Sequence, residues 1–561
     1  MKSVSRLGLL ALVFFFSSSH SYAKSSYESF PIPKKGGTFN DELLMTPVTL
    51  NPILGTNMAD SAVSSYFYMS LMTIDRQTYK DLPGLAEKVE VSKDKKEYTF
   101  TLNKNAKWSD GSPVTSEDIE YTFNKMMDPK VEAASLRSYF GGTTFKKVDA
   151  LKFKFIVTVP KYNSLNVVTT FAPVQKKQFE NEADFNKSKQ NLKPIGNGPY
   201  KLKAISRDQL VSLEKDQNWW AKELPDYRPQ FNHDLIQFKI MPDAALRYET
   251  LLKGGLDTLS LTSDQFTTQV KGSDKDKFGD RAGSGKNYWA DRFPSDGPMS
   301  WFGLALNQKN QILSSIKVRQ ALAQLIDYQA MIDRAFFKTV EQSVSPFGSR
   351  TDNTSPELKS GAAKYKLDQK KAMALLKEDG WNDTDQNGLL DKVIDGKKVQ
   401  FKVEVKLASA GPAGMKTVQI FKETFKKSGI ELSIRAMDSS AFFKDFEDKN
   451  FEMALMGWGG GDIHPDPRQN WHSSSIANGG SNTVSYASAK VDQLIDKANL
   501  EFDHKKRAKL LQEINRELYK DLPYIFLVER GFVLQAISSK VKSPVWIQRY
   551  STSIAKELFY F

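Results

Sequence analysis

Apolar residues recur along the chain with two spacings, one of two residues and one of three to four residues. Alternation of apolar residues with threonine or lysine predicts half-buried strands at residues 98–102 and 153–159. Helical spacing predicts a helix over residues 115–128, with Thr115 and Asp118 at its start and a proline directly after it.

The second half of the chain repeats this mixture of signals. Helical spacing predicts one longer amphipathic helix through residues 318–332 and two helices near the C-terminus, around residues 491–498 and 511–518. Alternating strand and helix signals indicate an α/β architecture. Polar, glycine-rich stretches before residue 300 favour a lobe boundary at about residues 290–300.

The first 23 residues have the pattern of a cleaved signal peptide. Lys2 and Arg6 precede an apolar run at residues 7–16, and a small-x-small pattern ends at Ala23. The apolar run is shorter than the roughly 20 residues that a membrane-spanning helix needs. We therefore expect export and cleavage after Ala23, followed by release into a periplasm as a soluble protein.

Composition excludes several classes of function. The chain of 561 residues has no cysteine, which excludes disulfides, thiolate metal sites, a cysteine nucleophile and a lipid-anchored cysteine. Its 79 Lys+Arg and 66 Asp+Glu give a formal net charge of +13, but the two signs are mixed along the chain. A solvated basic surface is therefore a simpler interpretation of this charge than a nucleic-acid-binding site.

Motifs typical of enzymes are missing from the sequence. There is no G-x-S-x-G, no H-E-x-x-H and no phosphate-binding G-x-x-x-x-G-K-[ST]. The histidines of the mature chain do not have metal-ligand spacing, because His464 and His472 are only a loose pair. We expect neither an enzyme nor a protein that hydrolyses nucleotides by itself.

Six short motifs follow one another in the chain. They are G-G-T-F with T-L-N-P (36–39, 49–52), P-G-L-A-E (83–87), W-S-D-G-S-P-V-T (108–115), P-I-G-N-G-P-Y (194–200), L-K-G-G-L-D (252–257) and V-R-Q-A-L with I-D (318–322, 326–327). With these motifs in this order, the chain from about residue 36 to residue 540 resembles the family 5 extracellular solute-binding proteins of ABC transporters, the dipeptide and oligopeptide receptors. It departs from the family at residues 311–315, where the usual acidic segment before the V-R-Q-A-L helix is absent.

The resemblance implies an α/β, two-lobed periplasmic-binding-protein type II fold with an additional subdomain. The N-terminal lobe is expected to be discontinuous. The expected division is residues 24–66, 195–296 and 528–561 for that lobe, 67–194 for the extra subdomain and 297–527 for the second ligand-binding lobe.

The resemblance also points to a ligand-binding loop. In the family a "G-W … D … D-P" loop supplies an aspartate that pairs with the ligand α-amino group, and here the match is Asp462, with Asp466 as its rival. Gly461 would let the ligand backbone approach closely. Trp458 is expected to form an apolar wall or to pack in the core. Asp462 has the alternative interpretation of a helix or turn cap.

Four other residues are weaker candidates in this comparison. Asn482 lies in a stretch that resembles the family's "S-N" loop. The pair Trp219 and Trp220 is better explained by core packing. Arg350 is one candidate for the residue that meets the ligand carboxylate.

A separate acidic stretch has calcium-loop spacing. Asp383, Asp385, Asn387 and Asp391 stand at loop positions 1, 3, 5 and 9, and glycine at position 6. Position 12 is Ile394, so the bidentate carboxylate of such loops is missing. The alternatives are a structural calcium site and an acidic turn.

We therefore expect the periplasmic substrate-binding subunit of an ABC importer, which captures short peptides by lobe closure and delivers them to a membrane permease driven by a separate ATPase. We expect a monomer that requires no cofactor and binds no nucleic acid. The rival solutes are a metal chelate, an opine, haem and a murein peptide. A secreted hydrolase and a chaperone-like or sensory module are the rivals from other classes.

Overall fold

The computed structural model describes residues 25–55, 57–280, 282–297, 300–361, 364–409, 412–459, 465–477, 480–551 and 553–561. The expected signal peptide, residues 1–23, lies outside the described residues. None of the helices in the described ranges combines the length and the apolar character that crossing a bilayer requires.

Strands occur along the whole described chain. Up to residue 300 they are β1 (Thr38–Leu43), β2 (Met72–Asp75), β3 (Lys80–Pro83), β4 (Ala86–Val91), β5 (Glu97–Leu102), β6 (Thr143–Lys147), β7 (Lys152–Val157), β8 (Tyr200–Ser206), β9 (Leu210–Lys215), β10 (Leu235–Ile240), β11 (Thr258–Ser260), β12 (Phe278–Gly279) and β13 (Tyr288–Pro294). The later strands are β14 (Trp301–Leu306), β15 (Glu341–Gln342), β16 (Asp391–Ile394), β17 (Lys397–Gln400), β18 (Lys402–Ala408), β19 (Glu431–Met437), β20 (Met453–Trp458), β21 (Tyr524–Glu529) and β22 (Phe532–Ser538).

Helices alternate with these strands. The α-helices are α1 (Met58–Ser64), α2 (Ser116–Met127), α3 (Ala134–Tyr139), α4 (Ser164–Thr169), α5 (Lys176–Phe179), α6 (Ala244–Leu252), α7 (Ile316–Gln324), α8 (Tyr328–Ala330), α9 (Pro356–Lys359), α10 (Gln369–Glu378), α11 (Pro412–Lys427), α12 (Ser439–Glu447), α13 (Arg468–Trp471), α14 (Ala489–Leu500) and α15 (His504–Asp521). Short 3-10 turns are Ser26–Ser29, Lys189–Leu192, Ser473–Ser475 and Lys556–Leu558, and π-helical turns are Gln265–Ser273 and Met331–Ala335.

The strands form four larger sheets, which define three parts of the molecule. The first lobe contains the sheets β1-β10-β9-β8 and β11-β22-β13-β12. The extra subdomain contains the antiparallel sheet β4-β5-β7-β6, and the second lobe contains the sheet β15-β21-β14-β20-β18-β19. Residues 528 and 529, which the expected division gives to the first lobe, complete β21 in the second lobe.

Apolar side chains fill a separate core in each half of the molecule. One buried cluster runs through the first lobe and the extra subdomain, and includes Phe39, Phe100 and Phe155. The second lobe has two clusters, one on each side of its sheet, around Leu322 and around Trp471. Since the first lobe and the extra subdomain share one core, we expect them to move together.

The local predictions are mostly confirmed. The strand at 98–102, helix α2 and the two C-terminal helices form where the spacing places them. The strand predicted over 153–159 is shorter in the structure, because β7 ends at Val157 and Val159 is exposed. At the start of α2, the Asp118 carboxylate accepts the Thr115 N–H at 3.0 Å, as the capping pattern predicts.

The prediction of one long helix over 318–332 is wrong. Helix α7 ends at Gln324, and a new helix, α8, begins after Asp327. The Asp327 carboxylate accepts the Ala330 N–H at 2.9 Å, so this aspartate caps a second helix.

Candidate functional site

Two short crossovers connect the first lobe with the second. The first runs from β13 to β14 over residues 295–300, and the second runs from β21 to β22 over Arg530 and Gly531. The two crossovers contact each other, because the Ser295 N–H donates to the Gly531 carbonyl at 3.2 Å. We call these residues the hinge, since a few residues between rigid elements are where domain rotation is absorbed.

Buried polar groups join the two lobes at the hinge. The Arg530 guanidinium donates to the Ser263 hydroxyl of the first lobe, and burial lowers its pKa. The Thr339 hydroxyl of the second lobe also donates to Ser263, at 2.7 Å. Ser263 therefore links the two lobes directly.

Arg350 lies against the same crossover. Its guanidinium donates to the Gly531 carbonyl at 3.3 Å and pairs with Glu341 at 3.3 Å. A Cβ added at Gly531 would lie 1.9 Å from the Arg350 guanidinium carbon, so glycine permits this close approach. The structure thus places Arg350 on the hinge, and its pairing with a ligand carboxylate stays a prediction.

A second set of contacts joins the extra subdomain to the second lobe. The Tyr162 N–H donates to the Asn499 carbonyl at 2.7 Å, and the Tyr162 hydroxyl lies 3.0 Å from Nε2 of His504. The Arg507 guanidinium lies over the Tyr162 ring, 4.2 Å from its centre. The Gln469 amide donates to the Ser138 hydroxyl at 2.8 Å. We call this region the subdomain interface.

Asp466 belongs to the subdomain interface. Its carboxylate accepts the Asn163 amide at 3.0 Å from the extra subdomain, and the Asn499 amide at 3.3 Å from the second lobe. It also accepts the Arg468 N–H at 2.9 Å. Burial of the Tyr139 hydroxyl, and after it the Asp466 charge, raise the pKa of Tyr139 to about 12. The Asp466 carboxylate is therefore already engaged by three donors.

Trp458 ends β20 beside the hinge. It pairs with Trp301 across the sheet, and Trp301 pairs in turn with Glu529, the residue before the hinge arginine. Trp458 is half-buried, and its ring centre lies 6.4 Å from those of Phe446 and Tyr524. The ring thus packs against the second-lobe core while its outer part stays accessible.

Two predicted ligand residues cannot be placed. Gly461 and Asp462 lie outside the described residues, as does His464. The ends of their loop are described, and they lie in different regions. Trp458 lies beside the hinge and Asp466 at the subdomain interface. The described residues that flank 460–464 therefore lie in the two regions where the halves meet.

Asn482 is fully buried and has a local structural role. Its amide donates to the carbonyls of His472 at 3.1 Å and Tyr486 at 2.8 Å, and its oxygen accepts the Tyr486 N–H at 3.0 Å. Both amide hydrogens and the oxygen are thus used within the loop. Ligand binding by Asn482 stays a prediction.

The tryptophan pair is confirmed as core packing. Trp219 is buried and Trp220 packs partly on the same cluster. Both indole N–H groups donate to the Asn197 carbonyl, at 3.0 and 3.1 Å.

Residues 383–391, which we call the acidic loop, bring carboxylates together. One carboxylate oxygen from each of Asp383, Asp385 and Asp391 lies within 4.8 Å of the others. Lys398 pairs with Asp385 at 2.7 Å and with Asp391 at 3.2 Å. It lowers the pKa of Asp385, whereas the pKa of Asp391 is lowered against its desolvation mainly by hydrogen bonds from Thr384 and then by Lys398. The Asn387 oxygen accepts the Leu389 N–H at 2.9 Å. A lysine ammonium thus already offsets one of the three carboxylate charges in the cluster that calcium would occupy.

The sequence did not point to the subdomain interface, and it missed a set of exposed apolar side chains. Leu44, Val48 and Met58, which follow the carboxyl end of β1, are 54%, 75% and 87% exposed. Ligands of open α/β sheets bind outside the carboxyl ends of strands. The available signal was the apolar residues that follow the G-G-T-F motif of residues 36–39.

Comparison with known proteins gives three findings. The family model "Bacterial extracellular solute-binding proteins, family 5 Middle" matches residues 82–521. Oligopeptide-binding protein AppA of Bacillus subtilis is 26% identical over 531 residues, which cover 92% of this chain and 91% of that protein. The dipeptide-binding protein of Escherichia coli is 25% identical over 527 residues, which cover 89% of this chain and 90% of that protein. The solved structure of AppA from Bacillus subtilis in complex with a nonapeptide has a TM-score of 0.81 at 23% identity, and covers 94% of this chain and 99% of that chain.

Proposed function

The chain belongs to the bacterial extracellular solute-binding proteins of family 5 and has their α/β type II periplasmic-binding fold, and from this premise we propose that it is the peptide-binding subunit of an ABC importer. The observation that carries the proposal is the arrangement of contacts between the two halves. They meet at the hinge and again at the subdomain interface, and Trp458 and Asp466, which flank the predicted ligand loop in the sequence, lie in these two regions. Its named relatives are an oligopeptide-binding and a dipeptide-binding protein.

Closure would be a rotation of the second lobe against the first lobe and extra subdomain. Only the two crossovers link these halves covalently, and one of them has just two residues between strands. A ligand that contacts both halves favours the closed form by its differential affinity for that form. The subdomain interface then adds contacts that the protein makes only when closed.

The proposed anchor for the ligand amino group is Asp462. Its rival Asp466 already accepts three hydrogen bonds at the subdomain interface, which leaves its charge less available to a ligand. Gly461 beside Asp462 would let the ligand backbone approach, and Trp458 at the start of the same loop would form one wall. A carboxylate enclosed between lobes makes an ion pair that strongly favours a free amino terminus.

The remaining features of the proposal concern the whole protein. The mature chain would be a monomer in the periplasm, released by cleavage after Ala23 and without a lipid anchor. The closed form would be recognised by a membrane permease that a separate ATPase drives. The proposed division of the chain is residues 24–66, 195–296 and 530–561 for the first lobe, 67–194 for the extra subdomain and 297–529 for the second lobe, which includes the end of β21.

Calorimetry on the mature chain, residues 24–561, tests the proposal. After unfolding and refolding to remove any ligand, the protein is titrated with di- to pentapeptides and with N-acetylated forms of the same peptides. One-to-one binding of free peptides without turnover of a chromogenic peptide supports the proposal. If the protein binds only a metal–histidine chelate, an opine, haem or a murein tripeptide, that solute replaces the peptide as its ligand. Turnover of the chromogenic peptide would favour a hydrolase.

A further inference from the structure

A cavity of about 430 Å³ lies in the second lobe, away from the hinge and the subdomain interface. It is formed where α7, α10 and α15 meet the segment at residues 357–365. Among its lining residues, Lys520 lies 13 positions after Arg507 on α15, which corresponds to roughly 20 Å along a helix. The cavity is thus separate from the contacts at Tyr162.

The lining of the cavity carries excess positive charge. It contains Lys364, Lys371, Arg516 and Lys520, against the single carboxylate of Glu357. Arg516 pairs with that carboxylate. The three lysine ammonium groups have no ion pair with any residue that the structure describes. The unpaired charge at the cavity is therefore +3.

A buried amide also lines the cavity. Gln324 is only 5% exposed and belongs to the lining of the cavity. Its backbone is held in place, because its carbonyl accepts the Asp368 N–H at 2.8 Å at the start of α10. A side-chain amide offers both hydrogen-bond donors and an acceptor. A polar ligand in the cavity can therefore hydrogen-bond to it.

The aromatic side of the cavity is rigid. The Tyr365 N–H donates to the Tyr519 hydroxyl at 3.1 Å, and the two ring centres are 5.2 Å apart. The Gln320 amide donates to the Lys520 carbonyl at 2.9 Å and leaves its oxygen free to accept. Fixed polar groups on a partly apolar wall are typical of small-molecule sites.

We propose that this cavity is a second ligand site, for a small organic anion that carries at least two carboxylate or phosphate groups. Lys364, Lys371 and Lys520 supply the charge, and the Gln324 amide binds a polar group at the buried end. The volume lies in the range of small-molecule pockets, which is roughly 300–1,000 Å³. Carboxylates and phosphates share the acceptor chemistry that ammonium and amide donors recognise.

Titration of the peptide-free mature chain with citrate and with pyrophosphate, at low ionic strength, tests the proposal. We expect one-to-one binding of at least one of the two anions, with affinity that falls as salt is added. Lys371→Gln and Gln324→Leu are each expected to weaken binding about tenfold. Lys371 is exposed, so this variant is expected to fold even if Gln324→Leu does not.

The matched control is Lys497→Gln, which removes an exposed lysine of the same lobe outside the cavity lining. It should bind the anion like the natural chain. The proposal is overturned if neither anion binds, if Lys371→Gln and Lys497→Gln weaken binding equally, or if polyglutamate binds while both small anions do not. Loss of anion binding in the presence of saturating peptide would place the anion in the interlobe site. Since peptide titrations are separate, failure here does not affect the proposed transport function.

Discussion

Replacement of Tyr162 by alanine removes the central side chain of the subdomain interface. The ring stacks under the Arg507 guanidinium at 4.2 Å, and its hydroxyl lies 3.0 Å from Nε2 of His504. Both partners belong to the second lobe, so these contacts exist only while the halves are together. The backbone N–H that donates to the Asn499 carbonyl is retained in the variant.

The expected effect follows from the lost contacts. A cation–π contact contributes about 0.5–2 kcal/mol, and a hydrogen bond about 0.5–1.5 kcal/mol. Their sum of about 1–3.5 kcal/mol lowers the closing equilibrium constant by a factor of ten for each 1.4 kcal/mol. If the free protein is mainly open, the peptide affinity falls by the same factor, since binding is coupled to closing. We expect a peptide Kd about tenfold higher in Tyr162→Ala.

The assay is calorimetric titration with the tightest-binding member of the di- to pentapeptide panel. Tyr162→Phe keeps the ring over Arg507 and should lose only part of the affinity. The matched control is Tyr121→Ala, because the Tyr121 ring contacts Lys125 of its own helix at 5.5 Å. Its removal changes the extra subdomain without touching the second lobe.

The reasoning is refuted if Tyr162→Ala binds the peptide as tightly as the natural chain. It is also refuted if Tyr121→Ala weakens binding as much as Tyr162→Ala does. In that case a general loss of subdomain stability, and not the contact across the interface, would set the affinity.

Three further predictions concern charge. Asp462→Asn should raise the Kd of free peptides about 30-fold or more, by loss of about 2–5 kcal/mol, and should leave the weak binding of N-acetylated peptides unchanged. In the same titration, Asp466→Asn should weaken the binding of free and N-acetylated peptides alike. If instead Asp466→Asn weakens only free peptides and Asp462→Asn weakens both, Asp466 is the anchor. Burial lowers the pKa of His233 from 6.5 to about 4. As the pH falls from 6.5 to 4, the unfolded chain therefore binds a proton at this histidine before the folded chain does, and the free energy of unfolding falls by about 3 kcal/mol in total. In urea unfolding, His233→Leu should flatten this part of the dependence of stability on pH, and an unchanged slope would contradict the lowered pKa of His233. Lys398→Met should increase calcium affinity at the acidic loop, measured by calorimetry, because it removes the competing ammonium, whereas equal affinity would show that Lys398 does not compete.

Local structure could be predicted where the signal is carried by neighbouring residues. The strand at 98–102 needs only its alternation, and α2 needs only its cap and apolar spacing. The longer helix through 318–332 could not be predicted, because the Asp327 side chain competes for the backbone and starts a new helix. Apolar spacing continues through this break and hides it.

The candidate site was predicted only in part, for a physical reason. The loop that contains Trp458 and Asp466 has a local motif and was found. The partner of Asp466 is Asn163, 303 positions away, and the Tyr162 hydroxyl meets His504 at a separation of 342 positions. Such pairs exist only after two lobes have folded and met, and no spacing in the sequence encodes them.

Spin-label distance measurement on the mature chain tests lobe closure most directly. The natural chain has no cysteine, so labels can be attached to cysteines introduced at the exposed residues Asn105 in the extra subdomain and Glu513 in the second lobe. We predict that saturating free peptide shifts the distance distribution to shorter values and narrows it, and that the N-acetylated peptide at the same concentration does so much less. Identical distributions with and without a peptide that calorimetry shows to be bound would contradict closure of the two halves over a ligand.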